Sequence, residues 1–242
     1  MTKVTLVLVL VLLAGPALAQ AEHQADSVIL LHGLGRSPWA MKLLEWRLND
    51  AGYTVHNLGY PRRAQSIDEI VAELHRRYLR CCYQDDSRTH FVTHSLGGLV
   101  LRAYLAEHRP ANLGRAVMLA PPNGGSEIAD QFGDWRLIRA LLGPMAAKLG
   151  TGPEDLPARL PVPDCDVGVI AGDRWISPVG ALVLPPPHDG TVSVSRTRLP
   201  GMKDHLVVPH THTFIMNSTQ VAREIIHFLR HGRFERREND AA

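Results

Sequence analysis

Short runs of β-forming apolar residues alternate with stretches of helical period along most of this chain. That alternation restricts the fold to an α/β architecture, a mostly parallel sheet with crossover helices on both faces. Residues 27–31 are apolar without a polar face, as a strand buried on both sides should be. Further strands are predicted at 54–58, 89–93, 115–120 and 166–171, with a short last one at 206–208. Between them, Ser37 reads as an N-cap with Pro38 at the first helical position and Gly52 just past the end. Ser66-Ile67-Asp68-Glu69 has the spacing of a capping box. Helices are also expected over 96–108, stopped by Pro110, and over 218–230. At 242 residues the chain has room for one domain with a sizeable core.

Two segments break the rhythm. Residues 126–164 carry no strand signal, only helix-like pieces broken by Gly143, Pro144, Pro153, Pro157 and Pro161. Residues 173–189 read as a loop ending in Pro185-Pro186-Pro187. Long excursions inside a compact domain are commonly functional. The charged tail over 233–242 is expected to fray.

The first 19 residues stand apart from the domain at 20–242. Lys3, the apolar run 4–14 and the small residues of Ala17-Leu18-Ala19 have the layout of a secretory signal peptide cleaved after Ala19. The reading is an exported protein, periplasmic or secreted. In an oxidising compartment a bridge from Cys81 or Cys82 to Cys165 is plausible, against three inert thiols. Adjacent cysteines bridge each other only with strain, and the spacing matches no zinc pattern. A formal net charge of +2, with arginines scattered rather than massed, provides no footprint for nucleic acid.

The sharpest signal is Thr93-His94-Ser95-Leu96-Gly97-Gly98, between a predicted strand and a predicted helix. A serine is a weak nucleophile until its hydroxyl is exposed and a base can reach it. A tight strand-to-helix turn pushes the side chain out above the sheet, and glycines let neighbouring backbone approach closely. The helix starting there aims free N–H groups at an anion forming beside Ser95. The other role open to such a serine is merely to cap a helix.

Here the chain resembles the α/β-hydrolase superfamily of bacterial lipases and esterases, whose nucleophile elbow is Gly-x-Ser-x-Gly. The resemblance runs from Ser27 to about Arg230, with Thr93 in place of the first glycine. It implies Ser95 as nucleophile. His32-Gly33-Leu34-Gly35 is similar to the family's oxyanion loop, which implies the backbone amides of Leu34 and Leu96 as donors. The family order of nucleophile, acid and histidine leaves Asp189, in His188-Asp189-Gly190-Thr191-Val192, and Asp173, directly after a strand, as candidate acids. Asp189 has the better sequence context. For the base, His212 precedes the final helix in the family's position; His210 is the alternate, and His205 falls before the last strand.

The resemblance implies a serine esterase or lipase that needs no metal or organic cofactor. Pro121-Pro122-Asn123-Gly124-Gly125-Ser126 resembles a stretch in bacterial lipases, and residues 126–164 occupy the usual place of a cap or lid. That segment is moderately apolar, through Ile128, Phe132, Trp135, Leu137, Ile138, Leu141, Leu142 and Met145. It would suit a lipid or other apolar acyl ester as partner, with transient contact to a lipid surface. Two rival readings share the residues: acyl transfer to an alcohol or lipid from the same triad, and a hydrolase fold kept only as a binding protein.

Overall fold

The computed structural model describes residues 25–235, apart from 62–63, 84–86, 137–139, 141 and 177. The proposed leader therefore lies outside the described residues. Six strands form one all-parallel sheet: β1 (Ser27–Leu31), β2 (Thr54–Leu58), β3 (Thr89–His94), β4 (Leu113–Leu119), β5 (Val167–Gly172) and β6 (Asp204–Val208). Their order is β2-β1-β3-β4-β5-β6. Every residue of β1, β3 and β5 is buried, whereas β2 and β6 at the edges are mostly half-exposed. Burial of both faces is why β1 and β5 read as nearly unbroken apolar runs.

Alternate strand residues face two separate cores. Ile29, Leu31, Phe91 and Met118 pack with α2 (Ile67–Cys81) and α3 (Leu96–Glu107) on one side. Val28, Leu30, Val92 and Val117 pack on the other side with α1 (Lys42–Asp50) and the final helix (Thr219–His231). This is the doubly wound layering expected from the alternation. The capping signals hold at atomic level. Ser66 Oγ accepts the N–H of Glu69 at 3.2 Å, and the Glu69 carboxylate reaches back to the N–H of Gln65, one residue before the cap. Ser218 Oγ likewise accepts from Val221 at the start of the final helix.

Several expectations shift. The predicted helix after Ser37 opens as a 3-10 turn, Pro38–Met41, before α1. The strand expected at 206–208 begins at Asp204, because its ladder with β5 already starts at the Gly168–Asp204 pair. His205 therefore lies inside β6, not ahead of it. The loop expected over 173–189 contains a helix, Pro178–Val183. Residue 234, expected in the frayed tail, is held in place: Phe234 is buried against Phe228 and its N–H donates to Asp204. Residues 236–242 lie outside the described residues.

The cysteine expectation is corrected as well. Cys81 is bonded to Cys82, and Cys165 keeps a free thiol that burial pushes up to about 11. The Cys81 and Cys82 sulfurs lie within 4.8 Å of His56 on edge strand β2, four strands from β5, which Cys165 precedes. Neighbouring strands lie about 4.8 Å apart, so that separation exceeds the Cα reach of a disulfide.

Candidate active site

The parallel sheet delivers its functional residues at the carboxyl ends of its strands. β3 ends at His94, and Ser95 follows with φ 54° and ψ −123°. A non-glycine residue in that region is strained and persists only where its surroundings over-determine it. Here the N–H of Ser95 donates to Leu119 O at 2.9 Å, and its carbonyl accepts the N–H of Gly98 at 2.9 Å. Gly97 has no alternative residue: a Cβ there would stand 2.6 Å from Leu31 O and 2.9 Å from His32 O, both backbone atoms. Thr93, where the family pattern has glycine, fits fully buried in β3.

From this bend the hydroxyl of Ser95 meets an imidazole more than a hundred residues away in sequence. His212 Nε2 lies 2.9 Å from Ser95 Oγ, and His212 Nδ1 lies 2.7 Å from Asp189 Oδ2. The pattern fixes the tautomer: Nδ1–H donates to the carboxylate, and Nε2 is left to accept from the serine. The other carboxylate oxygen accepts the N–H groups of Thr191 and Val192, at 2.9 and 2.8 Å. The backbone N–H of His212 in turn donates to Asp189 O at 3.1 Å. Asp189 is 2% exposed, so its charge is met by protein donors rather than by water.

The alternates lie elsewhere. Asp173 and His210 influence each other electrostatically: burial lowers the His210 pKa, and the Asp173 charge opposes that. Neither is hydrogen-bonded to Ser95, His212 or Asp189. His205 Nε2 pairs with Thr197 Oγ1 at 3.0 Å, and burial pushes its pKa down to about 4. His227 is tied by its ring to Arg233 O in the final helix's own turn.

The His-Gly loop passes directly over the serine. A Cβ on Gly33 would stand 2.8 Å from His94 Nδ1 and 3.1 Å from Ser95 Cβ. The N–H of Arg36 closes a turn onto Gly33 O, which leaves Leu34 at the corner, facing the same cavity. Leu96 is the first residue of α3, so its N–H has no acceptor within the helix. His32 stacks on Tyr60 with ring centroids 4.1 Å apart, and the Tyr60 hydroxyl donates to His32 O. His32 thus buttresses the loop.

A cavity of about 620 Å³ opens over the serine. Its walls are Leu34 and Val192 from the site loops and Ile128, Phe132, Trp135, Leu142 and Leu149 from the segment after Ser126. Met145, also expected in that apolar set, is instead packed in the core, while Leu137, Ile138 and Leu141 lie outside the described residues. Ser126 Oγ donates to Thr191 O at 2.7 Å, joining the start of this segment to the acid's loop.

Two site-supporting residues escaped sequence reasoning. Arg102, buried on α3, donates to the carbonyls of Asn123, Pro157, Leu160 and Pro161, latching the far end of the segment to the elbow helix. Burial pushes its pKa down to about 10. A charge inside the run Leu99-Val100-Leu101-Arg102-Ala103-Tyr104 was the available signal. His94, buried, donates from Nε2 to His212 O at 2.9 Å and so holds the backbone of His212. Burial keeps its pKa well below the usual imidazole range, and the charge of Arg36 adds to that.

Solved structures share this fold. A lipase from Bacillus licheniformis, BlEst2 in mature form, superposes with a TM-score of 0.65 at 18% identity, over 80% of this chain and 87% of its own. Phospholipase PlaB from Legionella pneumophila gives 0.66 at 17%, over 85% of this chain and 59% of its own. The metagenomic carboxyl esterase MGS0156 gives 0.63 at 17%, over 79% and 66%. No curated protein sequence matches the chain. The family described as "Alpha/beta hydrolase family" matches residues 28–231, from the first strand to the last turn of the final helix. The chain belongs to the alpha/beta hydrolase family.

Proposed function

We propose that this protein is an exported serine hydrolase that cleaves carboxylic esters of apolar acyl groups through an acyl-enzyme on Ser95. One observation carries the reading: a hydroxyl on a strained bend, 2.9 Å from an imidazole that is itself 2.7 Å from a buried carboxylate. His212 takes the proton from Ser95 as the oxygen attacks the ester carbonyl, then gives it to the leaving alcohol. Asp189 orients the ring and stabilises the imidazolium. The amides of Leu34 and Leu96 receive the tetrahedral oxyanion; one such donor is typically worth about 2.7–4 kcal/mol. Water then attacks the acyl-enzyme with His212 as base. Every proton in the cycle moves between these side chains and the reactants.

The apolar wall over the serine favours an acyl chain, and the structural neighbours — a lipase, a phospholipase and a carboxyl esterase — are consistent with that choice. Export rests on the first 19 residues alone. The purified protein is expected to turn over p-nitrophenyl butyrate through decanoate with a burst of p-nitrophenol as the acyl-enzyme fills. A protein that binds these esters without releasing p-nitrophenol would refute the proposal.

A further inference from the structure

The cavity over Ser95 holds one feature that an apolar ester does not use. Among the described residues, Arg36 is the one lining residue with a permanent charge, and no carboxylate lines the cavity. Among the described residues, the Arg36 guanidinium has no hydrogen bond or ion pair. It is half-buried, and its charge adds to the burial that lowers the pKa of His94, another lining residue of the cavity. Arg36 also stands two residues from Leu34, the proposed oxyanion donor.

A guanidinium in such a place is costly to cover with hydrocarbon. When a ligand expels its water, the charge must find an acceptor or lose hydration without return. A wholly apolar ester offers none. An anionic oxygen group a few bonds from the ester carbonyl would pair with it, often bidentately, while the acyl chain lies along Phe132, Trp135 and Leu142.

We infer that Arg36 is a specificity residue, and that the preferred substrates are amphiphilic esters carrying an anionic group, phosphate or carboxylate, close to the scissile bond. This rests on the ester-hydrolase reading above and narrows its substrate class. Arg36 touches the substrate's anion and takes no part in proton transfer.

The test uses two pairs of water-soluble, monomeric esters, so that binding to a lipid surface plays no part. One pair is 1,2-dibutyrylglycerol 3-phosphate against 1,2-dibutyrylglycerol; the other is monoethyl succinate against ethyl butyrate. The first places the anion on the alcohol side, the second on the acyl side. The wild type should favour the anionic member of at least one pair by about tenfold in kcat/KM, a typical effect for a charge-assisted contact. The preferred pair identifies the source of the anion. Arg36→Met should erase that preference, and Arg36→Lys, which keeps the charge without the planar fork, should retain part of it. Raising salt should weaken the preference in the wild type and leave Arg36→Met unmoved. Thermal melts establish that both variants are folded. Equal rates within both pairs for the wild type, or a preference that survives in Arg36→Met, would overturn the inference while leaving the hydrolase reading intact. Failure to cleave any of the four esters would instead overturn the hydrolase reading, and this inference with it.

Discussion

Ser95→Ala is expected to lower kcat on p-nitrophenyl esters by roughly a millionfold, down to what oxyanion and substrate binding alone provide. The variant should fold normally. Alanine faces the same positive φ as serine, and the bonds that hold the bend, Ser95 N–H to Leu119 O and Gly98 N–H to Ser95 O, are backbone bonds that survive the change. The side chain lost is 8% exposed and makes its one assigned contact with His212. Activity should therefore collapse while far-UV circular dichroism and the thermal melt stay close to wild type. Activity within a hundredfold of wild type would mean that another group attacks the ester.

His212→Ala should be nearly as damaging, again by about a millionfold in kcat, because the hydroxyl keeps its proton at neutral pH without a base. His210→Ala provides the contrast. The two rings lie on the same short loop after β6, yet only His212 reaches Ser95 and Asp189. His210 contributes its backbone carbonyl to Arg174 N–H, a bond that alanine preserves. His210→Ala is therefore expected to keep kcat within about tenfold. Steady-state kinetics on both variants decides it, and an inactive His210→Ala beside an active His212→Ala would reverse the assignment. KM should change little for His212→Ala, since the imidazole acts on the reacting proton rather than on the acyl chain.

Much of this was legible in the chain, for identifiable reasons. Strands buried on both faces advertise themselves, and β1 begins and ends where its apolar run does. The elbow was legible because the chemistry needs a serine between a strand and a helix with glycine after it. Asp189 was separated from Asp173 by its Gly-Thr-Val context, and the structure shows the physical content of that context: the amides of Thr191 and Val192 curl onto the carboxylate.

What was missed needed three dimensions. β6 starts earlier than its apolar residues because an edge ladder is held by backbone bonds, which any side chain allows. The partner of Cys81 could not be read, since sequence gives spacing but not the strand order that separates β2 from β5. His94 reads as a motif letter, and only the fold shows that its ring holds the carbonyl of the base 118 positions away. Arg36 reads as one scattered arginine until the fold sets it, alone in permanent charge among the described residues, in the wall of the cavity.

The most direct test of the catalytic assignment is to treat the purified protein with a fluorophosphonate and map the adduct by tandem mass spectrometry. An activated hydroxyl attacks phosphorus with loss of fluoride, so one phosphonyl group per chain should appear on Ser95. His212→Ala should suppress that labelling. An unlabelled Ser95 in folded protein, or an adduct on another residue with Ser95 untouched, would contradict the account.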